Sequence, residues 1–330
     1  MKNILIAADL YEEGPRPWNQ EWESKLSVQE IQKELEELGY HSLIYSDRIS
    51  LVERLVAIRP EDRENWLVWN LIEGYQSRNR EAYIPNLCEF LGIAYTGSDA
   101  YAQIVSLDKS LCKEFAKKLA IPTSNSQLLK KGHRELRDLE FPIFLKPNFE
   151  GSSLGIYDSN IIQNQKEYES KIRELFELFD EVIAEEYLLG DEITVGLLGH
   201  FPEYLTTKPA RIVTPGKVYD EHTKSKSEMP ETLIFDLNSS EEKSLKKYVL
   251  DLGTELEIVG PARFDFMRKD GNFYFLEANL TPGLSLRYSC LPILCESSGI
   301  SKREMFQKII DSSAFNYQNS KRFLYGKGKF

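Results

Sequence analysis

No stretch of the chain approaches the roughly 18 consecutive apolar residues of a membrane span. The amino terminus, MKNILIAADL, holds too short an apolar run for a secretory signal and reads as a first strand. Positive charge is scarce as well. Lysine and arginine number 41 against 52 aspartates and glutamates, a formal charge of −11. That balance argues against nucleic acid as a partner, because phosphate backbones select basic faces. A small anionic ligand stays open, since it needs only a few cations in one cleft. The four cysteines, Cys88, Cys112, Cys290 and Cys295, form no CxxC pair and no zinc-like spacing with the four histidines. They read as reduced, packed thiols of a cytoplasmic protein. Internal repeats, low-complexity tracts and a Walker A GK[ST] are all missing. What remains, at 330 residues with 42% hydrophobic and 28% charged, is a globular chain of two or three domains that folds without disulfides or metal.

Residues 1–100 alternate strand-like and helix-like segments, which implies an α/β layer with parallel strands. Strands are expected at Asn3–Ala8, His41–Tyr45 and Trp66–Asn70, and helices at Ser27–Leu38, closed by Gly39, and at Ala82–Leu91. The insert YEEGPRPWNQEWE, residues 11–23, is either an ordered loop beside a ligand site or a surface flap. An amphipathic helix at 108–119 ends before Pro122, a strand at Phe141–Lys146 runs into a lysine and a glycine loop, and a helix at Lys166–Phe179 precedes the strand VIAEEYL. From Glu192 onward the pattern is α+β: ITVGLLG, EYLTTKPARIV, a helix near 241–257, then ARFDFM and NFYFLEANL.

The densest chemical signal is RFDFMRKDGNFYFLEANLTPG, residues 263–283. Two short strands flank Asp270-Gly271-Asn272, a hairpin signal. Residues two apart on a strand share a face, so Arg263 lines up with Asp265, and Glu277 with Asn279. A three-residue loop sets Asp265 opposite Glu277; a two-residue loop sends the carboxylates to opposite faces. In the first register two carboxylates and an amide oxygen make an all-oxygen site for Mg²⁺ or Mn²⁺, with Arg263 beside it for a phosphoryl group. Phe264, Phe266, Tyr274, Leu276 and Ala278 would then form the core face. A surface hairpin with solvated charges is the plainer alternative.

Other signals are weaker alone. Gly151 to Gly155, with Ser152 and Ser153, can form an anion-binding nest or an ordinary turn. Glu185, Glu186, Asp191 and Glu192 can serve an adenine and a ribose or simply connect two domains. Lys224 and His222, in VYDEHTKSK, carry no assignment by themselves.

Taken in order, the pieces resemble the ATP-grasp superfamily, and within it the D-alanine–D-alanine ligase group. The similarity runs from about Asn70 to Pro292 through LGIAYTGS, DKSLCK, FLKPNFEGSSLGI, EEYLLGDEITV, VYDEHTK, RFDF and LEANLTPG. It implies an ATP-grasp fold behind a Rossmann-like amino-terminal domain, with domains at 1–98, 99–190 and 191–330. By the same resemblance Lys109, Lys146 and Lys224 look like the lysines that contact ATP phosphates. Glu150, Gly151, Ser152, Ser153 and Gly155 look like the loop that closes over them. Glu185, Glu186, Tyr187 and Leu188 match the hinge that meets adenine, and Glu192 the ribose ligand. Asp265, Glu277 and Asn279 match the ligands of two Mg²⁺ ions. Arg263, the Gly283 N–H, Ser153 and Glu23 match catalytic groups.

The implied reaction is amide ligation: ATP phosphorylates a carboxylate, and an amine then displaces phosphate, with Arg263 and Gly283 facing the oxyanion. A cytoplasmic homodimer acting on amino-acid-like small molecules is implied too.

Departures cluster on the substrate side. The 11–23 insert replaces a glycine-rich run, although Glu23 and Ser27 keep the spacing of its acid and serine. EGYQSRNREA, residues 73–82, replaces HGxxGEDG, and Ser225 stands where tyrosine is common. PGLSLRYSCLP is one residue longer than usual; Ser289 keeps its distance from Pro292, and Arg287 adds a cation that could meet a substrate carboxylate. The readings left open are therefore a dipeptide-forming ligase, a ligase for other amino acids or a larger acid, and an inactive nucleotide-binding protein.

Overall fold

The structure, a computed structural model, describes residues 1–11, 22–74, 77–151, 154–213 and 232–324. Ser152, Ser153, His222, Lys224, Ser225 and residues 12–21 of the insert therefore lie outside the described residues.

Apolar runs of the first hundred residues form a parallel sheet. Its strands are β1 (Asn3–Ala8), β4 (His41–Tyr45), β5 (Trp66–Leu71) and β6 (Ala94–Tyr95), in the order β4-β1-β5-β6. Two short strands, β2 (Leu10–Tyr11) and β3 (Glu23–Ser24), flank the insert and pair in parallel. Helix α1 (Lys25–Glu37) starts two residues before the expected Ser27, because the Ser24 side chain accepts the Ser27 N–H. Helices α2 (Arg48–Val56) and α3 (Tyr83–Leu91) complete the layer, and a 3₁₀ turn, Arg80–Ala82, leads into α3. Helices α4 (Ala100–Leu107) and α5 (Lys109–Lys118) follow, each capped by the aspartate before it, Asp99 and Asp108.

The second sheet is antiparallel, ordered β7 (Ser126–Lys130), β10 (Glu181–Glu186), β8 (Ile143–Pro147), β9 (Ile161–Ile162), with α6 (Gln165–Leu178) packed on it. The third contains β11 (Asp191–Leu198), β12 (Leu205–Thr206), β13 (Ala210–Val213), β14 (Thr232–Ile234), β15 (Ala262–Lys269) and β16 (Asn272–Asn279). The segment EYLTTKPARIV is thus two strands. Pro209, which lacks a ladder donor, lies between them. Helix α7 (Ser239–Glu255) opens on a capping box from Asn238 and Glu241; α8 (Cys290–Ser297) and α9 (Lys302–Leu324) close the described chain. No helix among the described residues is long and apolar enough to cross a membrane.

The cores do not follow chain order. One face of the first sheet, with Ile4, Ile6 and Trp69, packs against Leu284, Leu291, Phe306 and Ile309 from the far end of the chain. Val105 and Cys112 of α4 and α5 pack with Phe264 and Phe275 of the third sheet.

The hairpin β15–β16 reaches the expected pairing by an unexpected device. Lys269 pairs with Asn272, so the turn has two residues, Asp270 and Gly271, both at positive φ (50° and 76°). Continued regularly, that register would set Asp265 opposite Leu276. A β-bulge between Asp265 and Phe266 shifts it by one, so that Asp265 meets Glu277 and Arg263 meets Asn279. The bulge also corrects the expected core face. Phe273 and Phe275 are buried with Phe264 and Phe266, while Tyr274 and Leu276 are only half-buried.

Candidate active site

The second and third sheets face each other across a cleft of about 420 Å³. Its charged end is lined by Lys109, Lys146, Glu150, Gly151, Asp265 and Glu277. Lys109, the first residue of α5, lies 3.1 Å from the Glu277 carboxylate and donates to the Glu150 carbonyl at 2.5 Å. Lys146, at the end of β8, pairs at 2.6 Å with Glu185 of β10. The other oxygen of Glu185 lies 2.8 Å from Lys113 of α5 and accepts from the Ser124 hydroxyl at 2.6 Å. Lys113 donates in addition to Thr123 and Ser124.

Glu185 is therefore a buried anion between two buried ammonium groups. Burial alone would raise its carboxyl, but Lys113 and Lys146 outweigh burial and hold it well below the usual carboxylate range. Burial pushes the Lys113 ammonium down. At Lys146 burial is outweighed by Glu185 and Glu277, and the ammonium is held up. With its carboxylate taken, Glu185 can offer an adenine only its backbone.

On the hairpin face, Arg263 forks onto Asp265, with Nη2 2.9 Å from Oδ2, and the Asn279 side-chain oxygen accepts the Thr281 N–H at 3.0 Å. Burial would raise the Glu277 carboxyl; Lys109, Lys146 and Arg263 reverse this and hold it at about 2. It is an ionised oxygen donor at any working pH.

The cleft also has apolar walls, formed by Phe144, Tyr187, Leu188, Met267 and Leu276. The bulge is what brings Leu276 there beside Glu277. Glu186 and Glu192 line the cleft too, and Glu186 lies 3.5 Å from Lys269. The backbone of Gly155 has φ 72°, and a Cβ there would sit 3.1 Å from both Pro147 and Phe179, so glycine is required at this point of the loop.

A second cluster joins the first sheet's unit to the loop after β16. Glu23 is 7% exposed, and the Tyr288 hydroxyl donates to it at 3.2 Å. Ser27 bonds Tyr288 at 3.2 Å and Ser285 at 2.9 Å, and the Ser285 N–H donates to Ser289 at 3.2 Å. Gly283 is packed among them: a Cβ would lie 2.6 Å from the Ser289 hydroxyl and 3.8 Å from a Glu23 oxygen. Arg287 joins this cluster through its backbone, whose N–H donates to the Ser285 hydroxyl at 3.3 Å. Its guanidinium forks onto Glu30 of α1, at 2.7 Å to 3.0 Å.

The family model described as "D-ala D-ala ligase C-terminus" matches residues 116–311, more than half of the chain. The chain belongs to the D-alanine–D-alanine ligase family. D-alanine–D-alanine ligase from Thermotoga maritima is 28% identical over 290 residues, 87% of this chain and 91% of that one. D-alanine–D-alanine ligase A from Bacillus cereus is 32% identical over 236 residues, 70% and 75% of the two chains. Two crystal structures of D-alanine–D-alanine ligase from Bacillus anthracis, the second complexed with ATP, share the fold with TM-scores of 0.75 and 0.72. Both cover 97% of this chain and 99% of theirs, at 23% and 20% identity. The fold is ATP-grasp, and the protein is an ATP-dependent, ADP-forming ligase that makes a C–N bond.

Sequence reasoning overlooked two buried cations of this ligase, Lys113 and Arg80. Lys113 stands four residues after Lys109 on the buried face of α5, a spacing that puts both on one side of the helix. That signal was present in DKSLCK. Tyr288 was overlooked as well, and nothing in the local sequence marks it as the partner of Glu23.

Burial pushes the Glu23 carboxyl up to about 7, against hydrogen bonds from Tyr288 and the Leu284 backbone. Because the folded value lies above the ordinary 4.5, the folded ligase binds the extra proton between those limits, and stability falls as pH rises from 4.5 to 7. Glu23→Gln removes that penalty. It is expected to stabilise the unliganded ligase at pH 8 by about 3 kcal/mol and hardly at all near pH 4.5. Denaturant titrations at the two pH values measure this; an equal effect at both would contradict it.

Proposed function

We propose that the ligase joins two amino-acid-like substrates into a dipeptide-like product through an acyl phosphate. The observation that carries this reading is Glu23. It is a buried carboxylate facing Gly283, Tyr288 and Leu284, and among the described residues no lysine or arginine pairs with it. A buried anion without a counter-charge is costly, and an α-ammonium group is the natural complement. The first substrate is then an amino acid, its ammonium on Glu23 and its carboxylate toward Arg263 and the Gly283 N–H.

In the first step a carboxylate oxygen attacks the γ-phosphorus of ATP and ADP leaves. In the second, the amine of the other substrate, having lost a proton, attacks the acyl carbon, and phosphate leaves with the bonding pair. Arg263 and the Gly283 N–H take the charge of the tetrahedral oxyanion. Lys109 and Lys146, with Lys224, hold the triphosphate, and Glu150 to Gly155, including Ser152 and Ser153, exclude water from the acyl phosphate. The apolar slot takes the adenine, with the backbone from Glu185 to Leu188 beside it, and Glu192 takes the ribose. Ser27 and Ser289 orient the amino-acid carboxylates.

Asp265, Glu277 and Asn279 are an all-oxygen set with two ionisable carboxylates, which fits a hard divalent cation and would hold one or two Mg²⁺. When bound, the metal supplies charge neutralisation on the transferring phosphoryl group. We further expect a homodimer. The names of the relatives make D-alanyl-D-alanine the first product to test. The departures at 11–23, 73–82 and 284–289 make other side chains worth equal effort.

Incubation with ATP, Mg²⁺ and a mixed pool of D- and L-amino acids, followed by mass spectrometry, tests the reading. Expected is a dipeptide mass formed in step with ADP. ADP without any amide, or an amide lacking an amino-acid acyl half, would overturn it.

A further inference from the structure

Arg80 lies in the stretch 73–82, and it does not line the cleft. It is 3% exposed, and a guanidinium so deeply buried needs partners that hold it. Two of those partners are the residues that open the phosphate loop. Nη1 donates to the Phe149 carbonyl at 2.8 Å, and Nη2 lies 3.5 Å from the Glu150 carboxylate. The next carbonyl along, that of Glu150, is held by Lys109. Two consecutive carbonyls are thus fixed by cations from separate parts of the chain, the 3₁₀ turn before α3 and the start of α5.

The geometry of the peptide group turns this into a statement about donors. In a trans peptide the N–H points opposite to the C=O of the preceding residue. With the Phe149 carbonyl drawn to Arg80, the Glu150 N–H points away from Arg80; with the Glu150 carbonyl drawn to Lys109, the Gly151 N–H points away from Lys109. Glu150 and Gly151 both line the cleft. Gly74 fits the same purpose. Its backbone, at φ 75°, packs so tightly on Arg80 that a Cβ would lie 2.7 Å from the arginine Cβ.

We infer that Arg80 is a positioning residue for ATP: it orients the Glu150 backbone N–H at the start of the phosphate loop and ties the first sheet's unit to the triphosphate end of the site. The inference rests on the cleft's charged end being that triphosphate site. It makes affinity for the phosphates depend on a side chain outside the cleft, while the adenine end is indifferent to it.

The test compares Mg²⁺–AMP-PNP with AMP by calorimetry on the full chain, in Arg80→Met, which keeps the packed stem, and Arg80→Ala. Loss of one charge-assisted hydrogen bond and its ion pair is expected to weaken AMP-PNP about tenfold and AMP less than about twofold. Added guanidinium chloride at low millimolar concentration is expected to restore part of the AMP-PNP affinity in Arg80→Ala and none in Arg80→Met, where the methionine fills the space. The Met variant is expected to melt below the parent but cooperatively, so both are titrated at a temperature where each is fully folded. AMP-PNP binding within twofold of the parent in both variants overturns the inference. So does an equal loss for AMP-PNP and AMP without guanidinium rescue, which would mark Arg80 as a packing residue. Failure of the parent itself to bind AMP-PNP would instead remove the ATP-site reading on which the inference rests.

Discussion

Glu277→Gln is expected to lower ADP-forming turnover by about a thousandfold, roughly 4 kcal/mol of transition-state stabilisation. Three features of the site set that size. The carboxylate is ionised at about 2, so the substitution removes a full charge at every assayable pH. It stands opposite Asp265 across the hairpin, so one side of the all-oxygen set becomes neutral. It also faces Lys109, which loses its anionic partner but keeps the Glu150 carbonyl. The substitution also removes the stability that the depressed carboxyl contributes above pH 4.5, on the order of 3 kcal/mol, so turnover is compared at a temperature where both proteins are folded. Turnover should recover in part as Mg²⁺ is raised, since a weakened site can be filled by mass action. Steady-state ADP release across a Mg²⁺ series is the measurement. Unchanged turnover would remove Glu277 from the metal set.

Glu185→Gln is expected to act on stability rather than on chemistry alone. It leaves Lys113 and Lys146 buried without their shared anion, and breaking a buried pair in this way costs about 3–5 kcal/mol. The pH dependence carries the opposite sign to that of Glu23. The Glu185 carboxyl is held below its ordinary 4.5, so its contribution is complete above pH 4.5 and is lost as pH falls from there toward the depressed value. The parent should therefore lose stability on acidification below pH 4.5 by more than Glu185→Gln does. Burial of Lys113, no longer opposed by Glu185, should also let it lose its proton as pH rises, while Glu277 still opposes burial at Lys146. Denaturant titrations at pH 3.5 and pH 7 check the first claim; parallel curves for parent and variant would contradict it.

The two carboxylates show which parts of such a site can be seen in a sequence. Glu277 was legible because strand period and hairpin signals are local: residues two apart share a face, and Asp-Gly marks the turn. The pairing was right, yet the cause differed. The turn has two residues, and the bulge, which no propensity announces, restores the register and exchanges Tyr274 and Leu276 for Phe273 and Phe275 in the core. Glu185 was visible as a charge beside a strand but not as the anion between two lysines, because Lys113 and Lys146 reach it from a helix and a neighbouring strand 72 and 39 residues earlier in the chain. Glu23 and Ser27 kept a recognisable spacing, whereas their contact with Tyr288 and Ser285 spans more than 250 residues. The same distance hid the packing of α8 and α9 under the first sheet. β1 and β4 were found to the residue, since an apolar run bounded by turns needs no partner to be read. Arg80 sits in the stretch 73–82, and its purpose appears only when the Phe149 carbonyl is brought to it.

Every role proposed for the cleft depends on transfer of phosphate to a substrate carboxylate. Turnover with ATP, Mg²⁺ and amino acids labelled with ¹⁸O in the carboxyl group, followed by mass analysis of the released phosphate, tests this directly. The expected result is one ¹⁸O atom in the phosphate for each amide bond formed, with ADP as the nucleotide product. Unlabelled phosphate, or label appearing in AMP, would contradict an acyl phosphate and with it the roles given to Lys109, Lys146, Arg263 and Glu277.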